Sequence, residues 1–197
     1  MYTPKYFEVA DREKALAFIK SNAFGQLIST VDGKLFSSHM PFYLDNGKGL
    51  LICHIAKSNP QWKGIEGQGV LVTFQGPHDY ISPSWYESPG VPTWNYQAAH
   101  VYGMVSLVSE ADRLKGIVNE LTRIYESLFE APWIPEYKES MLNAIIGIEI
   151  QITEIQCKYK LSQNRSKNDK KKVIDQLERR GSIRLAEVMK NELLQSR

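Results

Sequence analysis

The chain has 197 residues, 43% hydrophobic and 23% charged, with 24 Lys or Arg against 22 Asp or Glu, a balance ordinary for a globular protein with a sizeable core. No run approaches the roughly 18 uncharged apolar residues of a transmembrane helix, and MYTPKYFEVADREK lacks the apolar core of a signal peptide, so a cytoplasmic location is expected. The charge is uneven: from Arg165 onward there are ten Lys or Arg against five Asp or Glu, leaving 14 against 17 in residues 1–164, so only the tail is basic.

Asp11 is placed to cap a first helix running to about Asn22, with Ala15, Leu16 and Ile19 on one side. The period then shortens. FGQLIST (24–30), KLFSSHMPFYL (34–44), GLLICHI (49–55) and GVLVTFQ (69–75) are apolar or alternating runs of strand length. Asp32-Gly33 and Asn46-Gly47 between them suit hairpin turns with φ > 0, giving an antiparallel meander. The Gln-Gly-Pro of FQGPH reads as a turn. Thr93–Val108 offers a further strand, and 144–160, with alternating Ile146, Ile148, Ile150 and Ile152, offers the last; six strands can close a small barrel. Between those two, Leu114, Ile117, Val118, Leu121, Ile124, Tyr125 and Leu128 recur at helical spacing behind Ser109 as N-cap. Beyond Ser162 a polar link leads to two short amphipathic helices broken at Arg180-Gly181-Ser182. Their Val173, Ile174, Leu177, Leu185, Val188 and Met189 require a partner surface.

Hydrolase and metal chemistry find little support. There is no GxGxxG, Walker-type loop, GxSxG or HExxH, and His39, His54, His78 and His100 lie 15, 24 and 22 residues apart. Cys53 and Cys157 sit in apolar runs outside any CxxC spacing and read as buried, reduced thiols. What stands out instead is aromatic and amide residues where strands meet loops. Trp62, Trp85, Trp94, Tyr80, Tyr86 and Tyr96 have apolar faces with a polar handle. Asn59, Gln75, Asn95, Gln163 and Asn164 both donate and accept, while Lys57, Lys160 and Arg165 can neutralise a phosphate. VPTWNYQ (91–97) places two amides beside two aromatics without a charge. The inventory suits FMN, which is flat and apolar in the ring, polar along the pyrimidine edge and ends in a phosphate. On residues alone, tryptophans that merely cover a barrel end remain an equal reading.

MYTPKYF, HIAKSNPQW, VLVTFQGPHDYISPSWY, VPTWNYQAAHVYG and KLSQNR, in that order and spanning nearly the whole chain, resemble the PaiB-like family of FMN-binding negative transcriptional regulators. The resemblance implies a mainly β (α+β) fold: an FMN-binding split β-barrel with flanking helices and a short C-terminal helical tail. The flavin-binding domain would cover 1–164, and the basic tail, 165–197, would pack on the barrel or on a partner in a homodimer with ligand sites between subunits. FMN is the expected cofactor, with haem as the alternative, and no metal site is expected. The expected cofactor contacts are His39, His54, Lys57, Asn59, Trp62, Gln75, Trp94, Asn95, Lys160, Gln163, Asn164 and Arg165, with HIAKSNPQW turning a helix N-terminus near Pro60 toward the phosphate. Lys57 rests on its charge and position alone. Two functions follow. One is a repressor of the protease-production and sporulation type, meeting DNA through Lys170, Lys171, Lys172, Arg179, Arg180 and Arg184. The other is an FMN-dependent oxidoreductase acting on a small molecule, for which no catalytic acid or base stands out.

Overall fold

The computed structural model describes residues 1–195. Asp11 caps the first helix as expected: its carboxylate accepts from the backbone N–H of Glu13 at 2.9 Å and of Lys14 at 3.2 Å, starting α1 (Arg12–Ser21). Strands follow as β1 (Phe24–Val31), β2 (Lys34–Pro41), β3 (Tyr43–Asp45), β4 (Leu50–Ala56), β5 (Gly69–Ile81), β6 (Thr93–Val108) and β7 (Ile145–Lys160). They form one sheet in the order β2-β1-β5-β6-β7-β4-β3, with β1–β2, β1–β5, β3–β4 and β4–β7 antiparallel. Asp32 and Gly33 both take positive φ, 49° and 75°, the conformation of a two-residue hairpin turn.

Four expectations change in detail. KLFSSHMPFYL is two strands, because Phe42 turns fully into the core between β2 and β3, making seven strands in place of six. At the next turn the positive φ falls on Gly49, not on Gly47. FQGPH is not a turn: β5 runs through it to Ile81, and Gly76 is there because a Cβ would lie 2.8 Å from the Phe18 ring. The helix after β6, α2 (Ala111–Glu126), starts one residue later than expected. Glu110, not Ser109, caps it, accepting from the N–H of Asp112 and of Arg113, which also holds the Glu110 carboxyl below its usual pKa.

By internal contacts the chain divides into two units, with β5, β6 and β7 each running through both. One unit comprises 19–74 and 100–155. Its interior holds Phe42 edge-on to Phe74 at 5.5 Å, with Leu27, Val72, Ile148 and Ile150 fully buried. Leu114, Ile117, Val118 and Leu121 bury one face of α2, whereas Tyr125 and Leu128 beyond them stay exposed. A five-residue helix, α3 (Glu139–Asn143), precedes β7.

The other unit comprises 1–18, 75–99 and the described residues from 156 on. The tail therefore clusters with the N-terminal segment and is not a separate body. Ser166 caps α4 (Lys167–Arg179) by accepting from Asp169 N–H, and α5 (Ile183–Gln195) follows the break at Gly181. Val173, Ile174, Leu177, Leu185 and Met189 are all buried within this chain, and Val188 is half-buried. At about 1.5–3 kcal/mol for each buried side chain, this docks the tail firmly. Asp169, itself buried, ties α4 to the loop between β5 and β6 by accepting from Glu87 N–H at 2.8 Å.

Candidate functional site

The first half of β6 has a two-residue period, so its neighbours point to opposite sides. Asn95, Gln97 and Ala99 are buried, while Trp94 points outward and is 52% exposed. Its indole is flanked by His78 at 6.3 Å and, edge-on, by Tyr80 at 6.2 Å, both supplied by β5. The His78 Nδ1 lies 3.1 Å from the Gly76 carbonyl. Gln75, also exposed, places its amide 3.3 Å from the same Nδ1. The result is a flat apolar face edged with an imidazole, a phenol and an amide.

Asn95 faces the other way. Its Nδ2 donates to Ser162 Oγ at 2.9 Å and reaches Met189 Sδ at 3.4 Å, joining β6 to α5, while its buried Oδ1 has no partner among the described residues. Its amide thus anchors the tail, a different role from the ligand contact expected of it. Gln163 also differs: its Oε1 accepts from Leu161 N–H and its Nε2 donates to the Tyr159 carbonyl, so both ends brace its own turn. Asn164 is exposed. Arg165 lies 4.2 Å over the Tyr86 ring and donates to the Pro89 carbonyl at 3.4 Å. Lys160 donates to Thr93 Oγ1 at 2.5 Å and to the Trp94 carbonyl at 2.6 Å. Burial, and then the charge of Lys158, lower its pKa.

The remaining expected residues belong to the other unit, and most are consumed there. The helix expected near Pro60 is one 3-10 turn, Pro60–Trp62, whose free amide is already taken: Asn59 Oδ1 accepts from Gln61 N–H at 2.9 Å while Asn59 Nδ2 donates to Ser38 Oγ. So short a turn presents no helix terminus to a phosphate. Trp62 donates its indole N–H to the carbonyl of Lys57, whose side chain is exposed. His39 is exposed and stacks on Phe24 at 6.2 Å. His54 has a buried Nδ1 without a partner among the described residues, and burial lowers its pKa. Sequence reasoning missed Gln61. It is fully buried and its Nε2 reaches the Leu27 carbonyl, Ser29 Oγ and the Phe36 carbonyl at 2.9, 3.0 and 3.3 Å, clamping two strands. Both cysteines are buried, and burial pushes the Cys157 thiol up to about 12 and Cys53 higher, so neither is a nucleophile at neutral pH.

The family described as "Putative FMN-binding domain" matches residues 1–154. The chain belongs to this FMN-binding family. Among its relatives is the "Protease synthase and sporulation protein PAI 2" of Bacillus subtilis (strain 168), 41% identical over 204 residues that cover 98% of each chain. An uncharacterized protein of Emericella nidulans is 32% identical over 213 residues, 83% of this chain and 85% of the other. Among solved structures, the flavocytochrome Anf3 from Azotobacter vinelandii aligns with a TM-score of 0.65 at 16% identity, over 80% of this chain and 72% of that one. The FAD and heme binding protein from Mycobacterium smegmatis aligns at 0.63 and 16%, over 78% and 73%. At that identity the likeness is one of fold, and the fold is the split β-barrel with flanking helices and a helical tail.

FMN is the family's cofactor, and the residues fit it on three counts. Trp94 with Tyr80 and His78 offers an uncovered flat face. Gln75 at its edge can donate and accept. Lys160 is a cation which, among the described residues, meets only neutral oxygens and no carboxylate. With FMN bound, the isoalloxazine supplies reversible electron transfer while the protein supplies position and field.

Proposed function

We propose that this protein is an FMN-binding transcriptional regulator, of the type that restrains protease production and sporulation, acting as a cytoplasmic homodimer. The observation that carries the proposal is the coextensive match to the Bacillus subtilis protein. It covers 98% of each chain, whereas the FMN-binding match ends at residue 154, so the tail helices belong to what those two chains share. Trp94 and Gln75 are the residues offered to the flavin ring, and Lys160 and Arg165 those offered to its phosphate.

The tail supports contact with DNA only through its outer surface. Lys172 pairs with Glu87 at 3.0 Å, Lys190 with Glu178 at 2.5 Å, and Arg180 lies over Trp85 at 5.7 Å. Lys171, Arg179 and Arg184 are exposed and, among the described residues, make no ion pair. Three to four phosphates is the most such a face would neutralise per subunit, so a dimer would show a log–log salt slope of roughly −5 to −7. A gel-shift titration against the chain's own upstream DNA and a scrambled control, at several salt concentrations, tests this. Selective binding with that slope supports the regulator, whereas sequence-independent binding with a slope near −2 removes it.

A second reading, an FMN-dependent oxidoreductase acting on a small molecule, is favoured by one feature. His78 is an exposed imidazole beside the exposed Trp94, where it could exchange a proton with a bound substrate. A related outcome, a split barrel that holds haem, is read from the absorption spectrum of the purified protein. Turnover of flavin by a nicotinamide donor, lost in His78→Ala, would favour the enzyme over the regulator.

A further inference from the structure

Lys158 and Lys160 point to the same side of β7, since side chains two residues apart on a strand share a face. Their Cα atoms lie roughly 6.5 Å apart at strand rise. Lys158 is 7% exposed, yet its ammonium makes one hydrogen bond, to the Tyr2 carbonyl at 3.1 Å, and otherwise faces the rings of Tyr96 at 5.2 Å and Tyr2 at 5.8 Å. Lys160 meets Thr93 Oγ1 and the Trp94 carbonyl and lies 5.9 Å from the centre of the Phe7 ring. Every one of these partners is neutral. Among the described residues neither ammonium has a carboxylate within ion-pair distance, and Glu8, which bridges Lys158 through the backbone, has an exposed side chain that makes no ion pair with it.

Two like charges held side by side and partly desolvated are costly, and buried charges are ordinarily paired. The burial and mutual repulsion that lower the Lys160 pKa are the same cost seen from one group. We propose that Lys158 and Lys160, under the N-terminal segment that carries Tyr2 and Phe7, form a receptor for a phosphate-class oxyanion that both ammonium groups grip. Each charge-assisted N–H···O contact spans about 2.7–2.9 Å, and a tetrahedral anion has oxygens enough to accept from both ammonium groups. The anion comes from one of two sources, the phosphate of FMN, in which case the inference rests on the flavin assignment above, or a separate phosphorylated molecule.

The test uses the full-length chain stripped of flavin, with Lys158→Met, Lys160→Met and the charge-preserving Lys158→Arg. FMN and riboflavin affinities are read by flavin fluorescence, inorganic phosphate binding by 31P line broadening, and folding by thermal melts. If the anion is the flavin's own, wild type prefers FMN to riboflavin at least tenfold, and each Met variant brings the ratio near one with riboflavin affinity unchanged, while Lys158→Arg keeps most of the preference. If it is separate, the two flavins bind equally in all variants and saturable phosphate binding is lost in both Met variants. Phosphate binding that persists in a wild type taking up neither flavin sinks the flavin assignment and leaves the oxyanion receptor standing. The proposal is overturned if both Met variants match wild type in flavin ratio and phosphate binding, or if Lys158→Arg lowers the melting temperature as much as Lys158→Met with no change in either, which would make the pair packing alone.

Discussion

HIAKSNPQW and VPTWNYQ look alike as strings, each combining tryptophan, proline and amides near a strand end, yet they end in opposite states. In the first, Asn59 caps Gln61 and holds Ser38, Gln61 clamps Leu27, Ser29 and Phe36, and Trp62 gives its N–H to Lys57. Apart from the Oε1 of Gln61, its amide and indole groups are spent inside the protein. In the second, Trp94 stands half out of the surface with no hydrogen-bond partner for its indole among the described residues, and Asn95 keeps a bare oxygen. The two strings differ in whether their polar groups are already satisfied, and a group that has its partner gains little from exchanging it for another.

The sharpest way to break this comparison is at Gln61. Gln61→Leu roughly preserves volume and removes an Oε1 that has no partner among the described residues, but it takes a donor from the Leu27 carbonyl, Ser29 Oγ and the Phe36 carbonyl, each loss worth about 1–3 kcal/mol. A loss of about 3 kcal/mol in urea unfolding is expected, with FMN affinity of the remaining folded protein unchanged. A large loss of affinity at full stability would place HIAKSNPQW at the ligand after all.

Trp94→Ala should do the reverse. Its side chain is exposed and makes no hydrogen bond among the described residues, so its loss should change stability by no more than about 0.5 kcal/mol. FMN affinity, followed by fluorescence quenching, should fall about tenfold, the scale of a lost aromatic contact at roughly 0.5–1.5 kcal/mol. An unchanged affinity would take the Trp94 face out of the flavin site.

Much of the fold was readable from local chemistry. Asp11 as a cap, Asp32-Gly33 as a hairpin and Arg180-Gly181-Ser182 as the break in the tail need only a few neighbouring residues to specify them, and all three occur as read. The errors have a common physical origin in distant partners. Gly76 looks like a turn residue until Phe18, 58 positions earlier, is seen occupying the space of its absent Cβ. The direction of Asn95 depends on Ser162 and Met189, 67 and 94 residues away. Gln61 reads as solvent-exposed amide unless the two strands that it clamps are known to pass over it. The candidate site was legible as a residue inventory, but which of its amides remained free was not, since satisfaction is a property of the assembled fold.

Asn95 tests the same idea on a smaller scale. Asn95→Leu removes the hydrogen bond to Ser162 Oγ and the weaker one to Met189 Sδ, and also removes a buried oxygen that has no partner among the described residues. These terms oppose each other at about 1 kcal/mol each, so the change in urea stability should be within about 1 kcal/mol, far below that for Gln61→Leu. A loss of 3 kcal/mol or more would mean that Oδ1 is paired in solution.

The smallest effect concerns His54 of β4, whose buried Nδ1 has no partner among the described residues and whose pKa burial holds below the ordinary 6.5 or so. Below about pH 6.5 the unfolded chain takes up this proton before the folded one does, so stability rises with pH in that window. The contribution is complete above 6.5 and is lost as pH falls toward the folded-state value. His100, lowered by burial in the same direction, adds to the slope. Urea unfolding at about pH 7.5 and about 5.5 should thus show a loss on acidification that is partly removed in His54→Gln, because glutamine cannot take the proton. Parallel losses in wild type and variant would mean that His54 meets solvent or a partner in the folded protein. The orphan nitrogen would then no longer separate it from the satisfied amides later in the same HIAKSNPQW string.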